Sequence, residues 1–138
     1  MSAGAGFPKS SPDGGGYDVE SAPWPTELRL LKEEARLEVE FSDGRTFALP
    51  AEYLRVESPS AEVQGHGPSQ KKIVAGKRRV RITTVEPVGH YAVRLVFDDG
   101  HDTGIFSWSY LRELGEDQAG RWSAYEANLQ ALGLGRDP

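Results

Sequence analysis

The chain has 138 residues, a formal net charge of −5 and no cysteine. That length suits one domain with a tail and a core that needs no staple, and the missing cysteines exclude disulfides, cysteine-type zinc sites, iron–sulfur ligation and thiol catalysis. No apolar run approaches the roughly 20 residues of a membrane-spanning helix, and Met1-Ser2-Ala3-Gly4-Ala5-Gly6 lacks the basic and apolar regions of a signal peptide. The expectation is a cytoplasmic protein with no membrane contact.

Residues 1–25 are rich in Gly, Ser and Pro and poor in large apolar side chains. Such a segment buries too little surface to offset its ordering entropy, so a disordered tail is predicted there, with the folded domain over 26–134. Trp24, between Pro23 and Pro25, is placed to pin the entrance. Leu28 and Leu30, then Leu37, Val39 and Phe41, alternate with charged residues, the pattern of half-buried antiparallel strands. Asp43-Gly44 predicts a tight hairpin returning along Arg45–Leu49. Pro50-Ala51-Glu52-Tyr53-Leu54-Arg55 predicts a short helix with proline in its first turn.

Residues 57–77 form a long connection carrying Ser58-Pro59-Ser60, Gly65, Gly67, Pro68 and Gly76, a length usual for functional or mobile loops. Strand patterning resumes with Val80 and Ile82 inward and Arg79 and Arg81 outward. A turn is predicted over Pro87-Val88-Gly89-His90, then a strand with Tyr91, Val93, Leu95 and Phe97 on one face. Asp99-Gly100 makes a second hairpin, with a short strand over Thr103–Phe106. Ser107 is predicted to cap a helix running through Trp108, Leu111 and Leu114 to Gly115. A last helix is predicted over 118–132, with Trp122, Tyr125, Leu129 and Leu132 as its apolar stripe and Gly133 at its left-handed cap. The fold class expected is α+β: a small twisted antiparallel β-sheet with short helices packed on it and a C-terminal helix.

Lys71, Lys72, Lys77, Arg78, Arg79 and Arg81 put six positive charges and no negative one between residues 71 and 81. Lys71, Lys72, Lys77, Arg78 and Arg79 are the candidate interaction surface for an acidic partner. Nucleic acid is the less favoured partner, because the rest of the chain is acidic and no aromatic residue interleaves with the strip to stack on bases.

Signatures of nucleophile elbows, phosphate loops, dinucleotide folds and zinc peptidases are all absent, so no catalytic residue is assigned and the chain is not expected to be an enzyme. Of the three histidines, His90 falls in a turn, while His66 lies between two glycines of the long connection. His101 follows the second hairpin as an exposed-looking side chain, where Asp99 and Asp102 are placed to orient its ring or raise its pKa. His66 and His101, with nearby carboxylates, are the candidate metal ligands.

Asp99-Gly100-His101 followed by Gly104-Ile105-Phe106-Ser107-Trp108-Ser109-Tyr110-Leu111 resembles the end of the gamma-butyrobetaine hydroxylase-like N-terminal domain. Phe41-Ser42-Asp43-Gly44 and Leu49-Pro50-Ala51-Glu52-Tyr53-Leu54-Arg55 resemble two earlier elements of that family, in matching order, so that the likeness spans about residues 26–114. Asp99, Gly100, His101, Gly104, Ser107, Trp108, Tyr110 and Leu111 are its motif positions. The resemblance implies an accessory domain, found at the front of 2-oxoglutarate, iron-dependent oxygenases, attached to some iron–sulfur carrier proteins, or free-standing in bacteria with unknown function. In the oxygenases a structural zinc is held by three cysteines and the histidine of the Asp-Gly-His element. Aligned from Leu54-Arg55, the cysteine positions fall on Ser58, Ser60 and Val63, leaving only His101, so no zinc and no other cofactor is expected. The function implied is a non-catalytic binding or adaptor domain with a protein partner, of iron–sulfur assembly or an oxygenase; a metal-binding protein is the alternative.

Overall fold

The computed structural model describes residues 22–65 and 71–138; the expected tail lies outside them up to residue 21, as does His66. Period-2 alternation becomes six strands. β1 (Pro25–Leu31), β2 (Arg36–Phe41) and β3 (Thr46–Pro50) form one antiparallel sheet in that order, and β4 (Ile82–Val88), β5 (Ala92–Phe97) and β6 (Gly104–Ser107) form a second. Both Asp-Gly pairs make the predicted hairpin turns, with Gly44 and Gly100 at φ +89° and +94°, where a side chain would be strained. Each hairpin fixes only its own neighbours. The split into two sheets therefore refines the single sheet expected from local patterning.

The sheets share one core. Leu28, Leu37, Val39, Phe41 and Leu49 from the first pack with Ile82, Val93, Leu95, Phe97 and Phe106 from the second. Two helices close it: α1 (Ala51–Val56), through Tyr53 and Leu54, and α3 (Trp108–Glu116), through Leu111 and Leu114. The Tyr53 hydroxyl donates to the Leu114 carbonyl at 2.7 Å, giving this buried polar group the partner it needs. Ser107 caps α3 as predicted, accepting from the Tyr110 amide at 3.1 Å, an interaction worth about 1 kcal/mol. A smaller cluster of Val56, Tyr125 and Leu129 seats α4 (Gln118–Ala131) beside the segment 73–75. Between α1 and β4 the long connection holds the one-turn helix α2 (Ala61–Gln64).

Three local expectations fail for identifiable reasons. Tyr91 is 60% exposed, because β5 begins only at Ala92 and the Tyr91 ring lies over Gly89 instead of entering the core. Leu132 is exposed at the helix end, so the apolar stripe of α4 stops at Leu129. Pro87 and Val88 belong to β4, an outer strand of its sheet where a missing proline amide breaks no ladder bond. Trp24 does hold the entrance, through its backbone: its amide donates to Ser42 Oγ at 3.1 Å and its carbonyl accepts from the Ser42 amide at 2.8 Å. Among the described residues, no helix is long and apolar enough to cross a membrane.

Candidate functional site

The Asp99-Gly100-His101 turn projects between α1, the connection after it and the segment that leads to β4. Its geometry begins locally. The Asp99 carboxylate accepts from the His101 amide at 3.1 Å, and the His101 carbonyl accepts from the Phe97 amide at 2.9 Å, closing the hairpin end. Asp99 Oδ2 also receives Arg55 Nε of α1 at 2.9 Å and Lys77 Nζ at 2.5 Å. Burial alone would raise the Asp99 carboxyl pKa; Lys77, the His101 amide and Arg55 outweigh it and hold the value at about 2.

His101 is 5% exposed, not the open side chain its place beside a turn suggests. Its ring stands 5.9 Å from the Phe97 ring. Nδ1 lies 2.9 Å from Glu62 Oε1 on α2, while Nε2 lies 2.9 Å from Ser58 Oγ and 3.5 Å from Ser60 Oγ. An ionised carboxylate only accepts, so Nδ1 carries the proton and Nε2 accepts from the Ser58 hydroxyl. Ser58 Oγ in turn accepts from the Ser60 amide at 3.3 Å. Burial, then the charge of Arg55, push the His101 pKa below its ordinary 6.5 against the opposing pull of Glu62. The ring is neutral near pH 7. This corrects the sequence expectation: Asp99 bonds the His101 backbone rather than its ring, the Asp102 carboxylate lies 3.6 Å from Arg94, and although the charge of Asp99 pulls the pKa up, burial and Arg55 bring it down.

Carboxylate, imidazole and hydroxyl stand in the order of a nucleophilic triad, yet Ser58 is fully buried. It is sealed from the hairpin side by Gly104, where an added Cβ would meet Ser58 Oγ at 2.5 Å. That hydroxyl has no face open to solvent. The same closeness explains the motif glycine, which is there to let the hairpin approach Ser58.

The remaining motif residues tie down the surroundings. The Tyr110 hydroxyl donates to the Glu57 carbonyl at 2.6 Å, Trp108 Nε1 donates to the His90 carbonyl at 2.8 Å, and Leu111 is core. Glu57, itself buried, receives Lys71 Nζ at 2.8 Å and Arg121 Nη1 at 3.2 Å. Half of the basic strip is thus spent on ion pairs. Lys71 pairs with Glu57, Lys77 with Asp99 and Arg78 with Asp137, while Lys72, Arg79 and Arg81 are exposed.

As a metal site the set is poor. Ser58, Ser60 and His101 do converge, as the alignment from Leu54-Arg55 implied, but two hydroxyls, a buried valine at 63 and an imidazole engaged at both nitrogens do not fit a tetrahedral zinc. Among the described residues, no group of three or more His, Asp or Glu is placed to hold a metal ion; whether His66 approaches His101 lies outside them. The sequence marks Arg55 as the end of a family element and Lys77 as part of the basic strip, but not their bonds to Asp99, and it does not single out Glu62. Glu62 sits on a four-residue helix and Lys77 in a loop, with no periodicity to mark either.

A family model described as gamma-butyrobetaine hydroxylase-like, N-terminal, matches residues 28–112. The chain belongs to that family. Two solution NMR structures are each 45% identical to it, one with a TM-score of 0.73 over 84% of this chain and 91% of that one, the other 0.75 over 90% and 92%. A crystal structure from Acidithiobacillus ferrooxidans, described as a protein of unknown function of the DUF971 family, is 48% identical, with a TM-score of 0.57 over 67% of this chain and 92% of its own. A search of curated proteins finds no match. In this gamma-butyrobetaine hydroxylase-like domain Ser58, Ser60 and Glu62 form a hydrogen-bonded cluster about the histidine of the Asp-Gly-His hairpin.

Two predictions follow from that cluster. Gly104→Ala should destabilise the domain by about 1–3 kcal/mol through overpacking against Ser58, and by clearly less in a Ser58→Gly background; equal losses in urea unfolding of both pairs would refute the contact. Between its folded pKa and 6.5, His101 binds fewer protons folded than unfolded, so its contribution is present above pH 6.5 and lost as pH falls. Asp99 adds a second loss between pH 3.8 and about 2. Urea midpoints should therefore drop on acidification below 6.5 in the native chain, and His101→Gln should flatten that first decline; an unchanged decline would count against the assignment.

Proposed function

We propose that the domain is a non-catalytic binding module that works through protein–protein contacts. The observation that supports this reading is the burial of His101 and Ser58, joined to the exposed Glu62: the hydroxyl is fully covered, so these bonds fasten the segment 58–62 to the hairpin instead of acting on a substrate. Family resemblance supplies the setting, since related domains accompany oxygenases and iron–sulfur carriers. A cytosolic partner of iron–sulfur assembly or a 2-oxoglutarate oxygenase is the proposal that follows, and it rests on analogy of domain fusion. No zinc or other cofactor has a part in this reading.

The surface put forward is the connection 57–77 with its basic extension. Lys72, Arg78, Arg79 and Arg81 are its exposed cations, Arg78 pairing with the equally exposed Asp137, and Lys71 and Lys77 serve chiefly to hold its shape through Glu57 and Asp99. A metal-binding role for His101 with His66 is the weaker reading, because a metal at either ring nitrogen must displace Ser58 or Glu62.

Affinity purification from the native cell, with the whole chain as bait, should recover a specific protein that is lost or much reduced when Lys72 and Arg79 are both changed to Glu. Equal recovery by both baits, or none by either, would overturn the proposal.

A further inference from the structure

Residues 133–138 follow α4 back across the domain and are held there almost entirely by polar contacts. Arg136 meets Glu52 of α1 through two parallel bonds, Nε to Oε2 and Nη2 to Oε1, both 2.8 Å. Its guanidinium also stands 5.1 Å from the centre of the Trp122 ring on α4. The amides of Gly76 and Arg78 donate to the carbonyls of Gly135 and Arg136, each at 2.9 Å, and Arg78 Nε donates to Asp137 at 2.6 Å. Leu134 is exposed, and neither hydrophobic cluster contains a residue from this segment.

The segment is therefore seated on the domain as a ligand is, outside the core. The receiving surface is specific. Glu52 is 8% exposed at its side chain, and a carboxylate that buried without a cation is strongly disfavoured. Its two oxygens face a planar fork, which a guanidinium supplies and an ammonium does not. Trp122 adds a cation–π face, and the amides of Gly76 and Arg78 donate to the carbonyls of an extended chain. Gly133 and Leu134 donate to the Gln130 and Leu129 carbonyls and end α4, but the bonds that residues 135–137 make to the groove could be made equally by an arginine-bearing segment of another protein.

We propose that the groove formed by Glu52, Trp122 and the amides of Gly76 and Arg78 binds an extended, arginine-bearing segment of a partner protein. Residues 135–137 are then the chain's own occupant, an internal competitor that the partner displaces. For the existence of a partner this rests on the binding-module reading above. The groove itself is testable with purified components, so its failure is distinguishable from a failed purification.

The test uses the full chain as Arg136→Ala, which vacates the fork, and a fluorescent peptide Gly-Leu-Gly-Arg-Asp-Pro, with binding read by anisotropy. Saturable binding is expected, about tenfold or more tighter than to the unaltered chain, where the tethered segment competes at an effective concentration in the millimolar range. A peptide with lysine for arginine should bind about tenfold more weakly or not at all, and adding Glu52→Gln to the variant should abolish binding. If Arg136→Ala loses its cooperative unfolding transition, Arg136→Lys, which keeps a cation beside Glu52 but not the paired fork, takes its place in the same titration. No saturable binding to the folded variant, or equal binding of the lysine peptide, would overturn the proposal.

Discussion

A neutral imidazole inside the molecule must find a donor for one nitrogen and an acceptor for the other, and His101 finds them on two different segments. Ser58 satisfies Nε2 and Glu62 satisfies Nδ1, while the His101 backbone belongs to the β5–β6 hairpin. A single ring thus fastens residues 58–62, at the start of the long connection, onto the hairpin. Most of the motif serves that closure: Gly100 makes the turn, Gly104 gives room to Ser58, and Tyr110 holds the Glu57 carbonyl.

The two hairpin turns repeat one design. Asp43 receives both terminal nitrogens of Arg112 from α3, as Asp99 receives Arg55 from α1. Arg112 also lies over Phe41 and Phe47, so its charge and its flat face are both used. In each case a turn carboxylate that could have stayed in water instead orients a helix against a sheet. The same holds for half of the basic strip, since Lys71, Lys77 and Arg78 answer carboxylates brought in from distant parts of the chain.

Strands, helices, the Ser107 cap and the Asp-Gly turns were legible because each is encoded within a few residues by periodicity or by one side chain's local bond. The division into two sheets was not, since it depends on which hairpins fail to meet. The site was half legible. The alignment from Leu54-Arg55 foretold that Ser58 and Ser60 stand near His101, but the burial of the ring, the direction of its pKa shift and the part of Glu62 come only from tertiary packing. Tyr91 shows the reverse error, since its alternation with Val93, Leu95 and Phe97 continued one residue past the start of the strand.

The central claim is that His101 is a neutral, doubly bonded fastener rather than a metal ligand or a free base. Long-range proton–nitrogen correlation NMR on the folded chain at pH 7 tests it most directly. The account predicts one ring with a protonated Nδ1 and an unprotonated, hydrogen-bonded Nε2, unmoved by added zinc. A protonated Nε2, a charged ring at that pH, or a metal-induced shift at either nitrogen would contradict it.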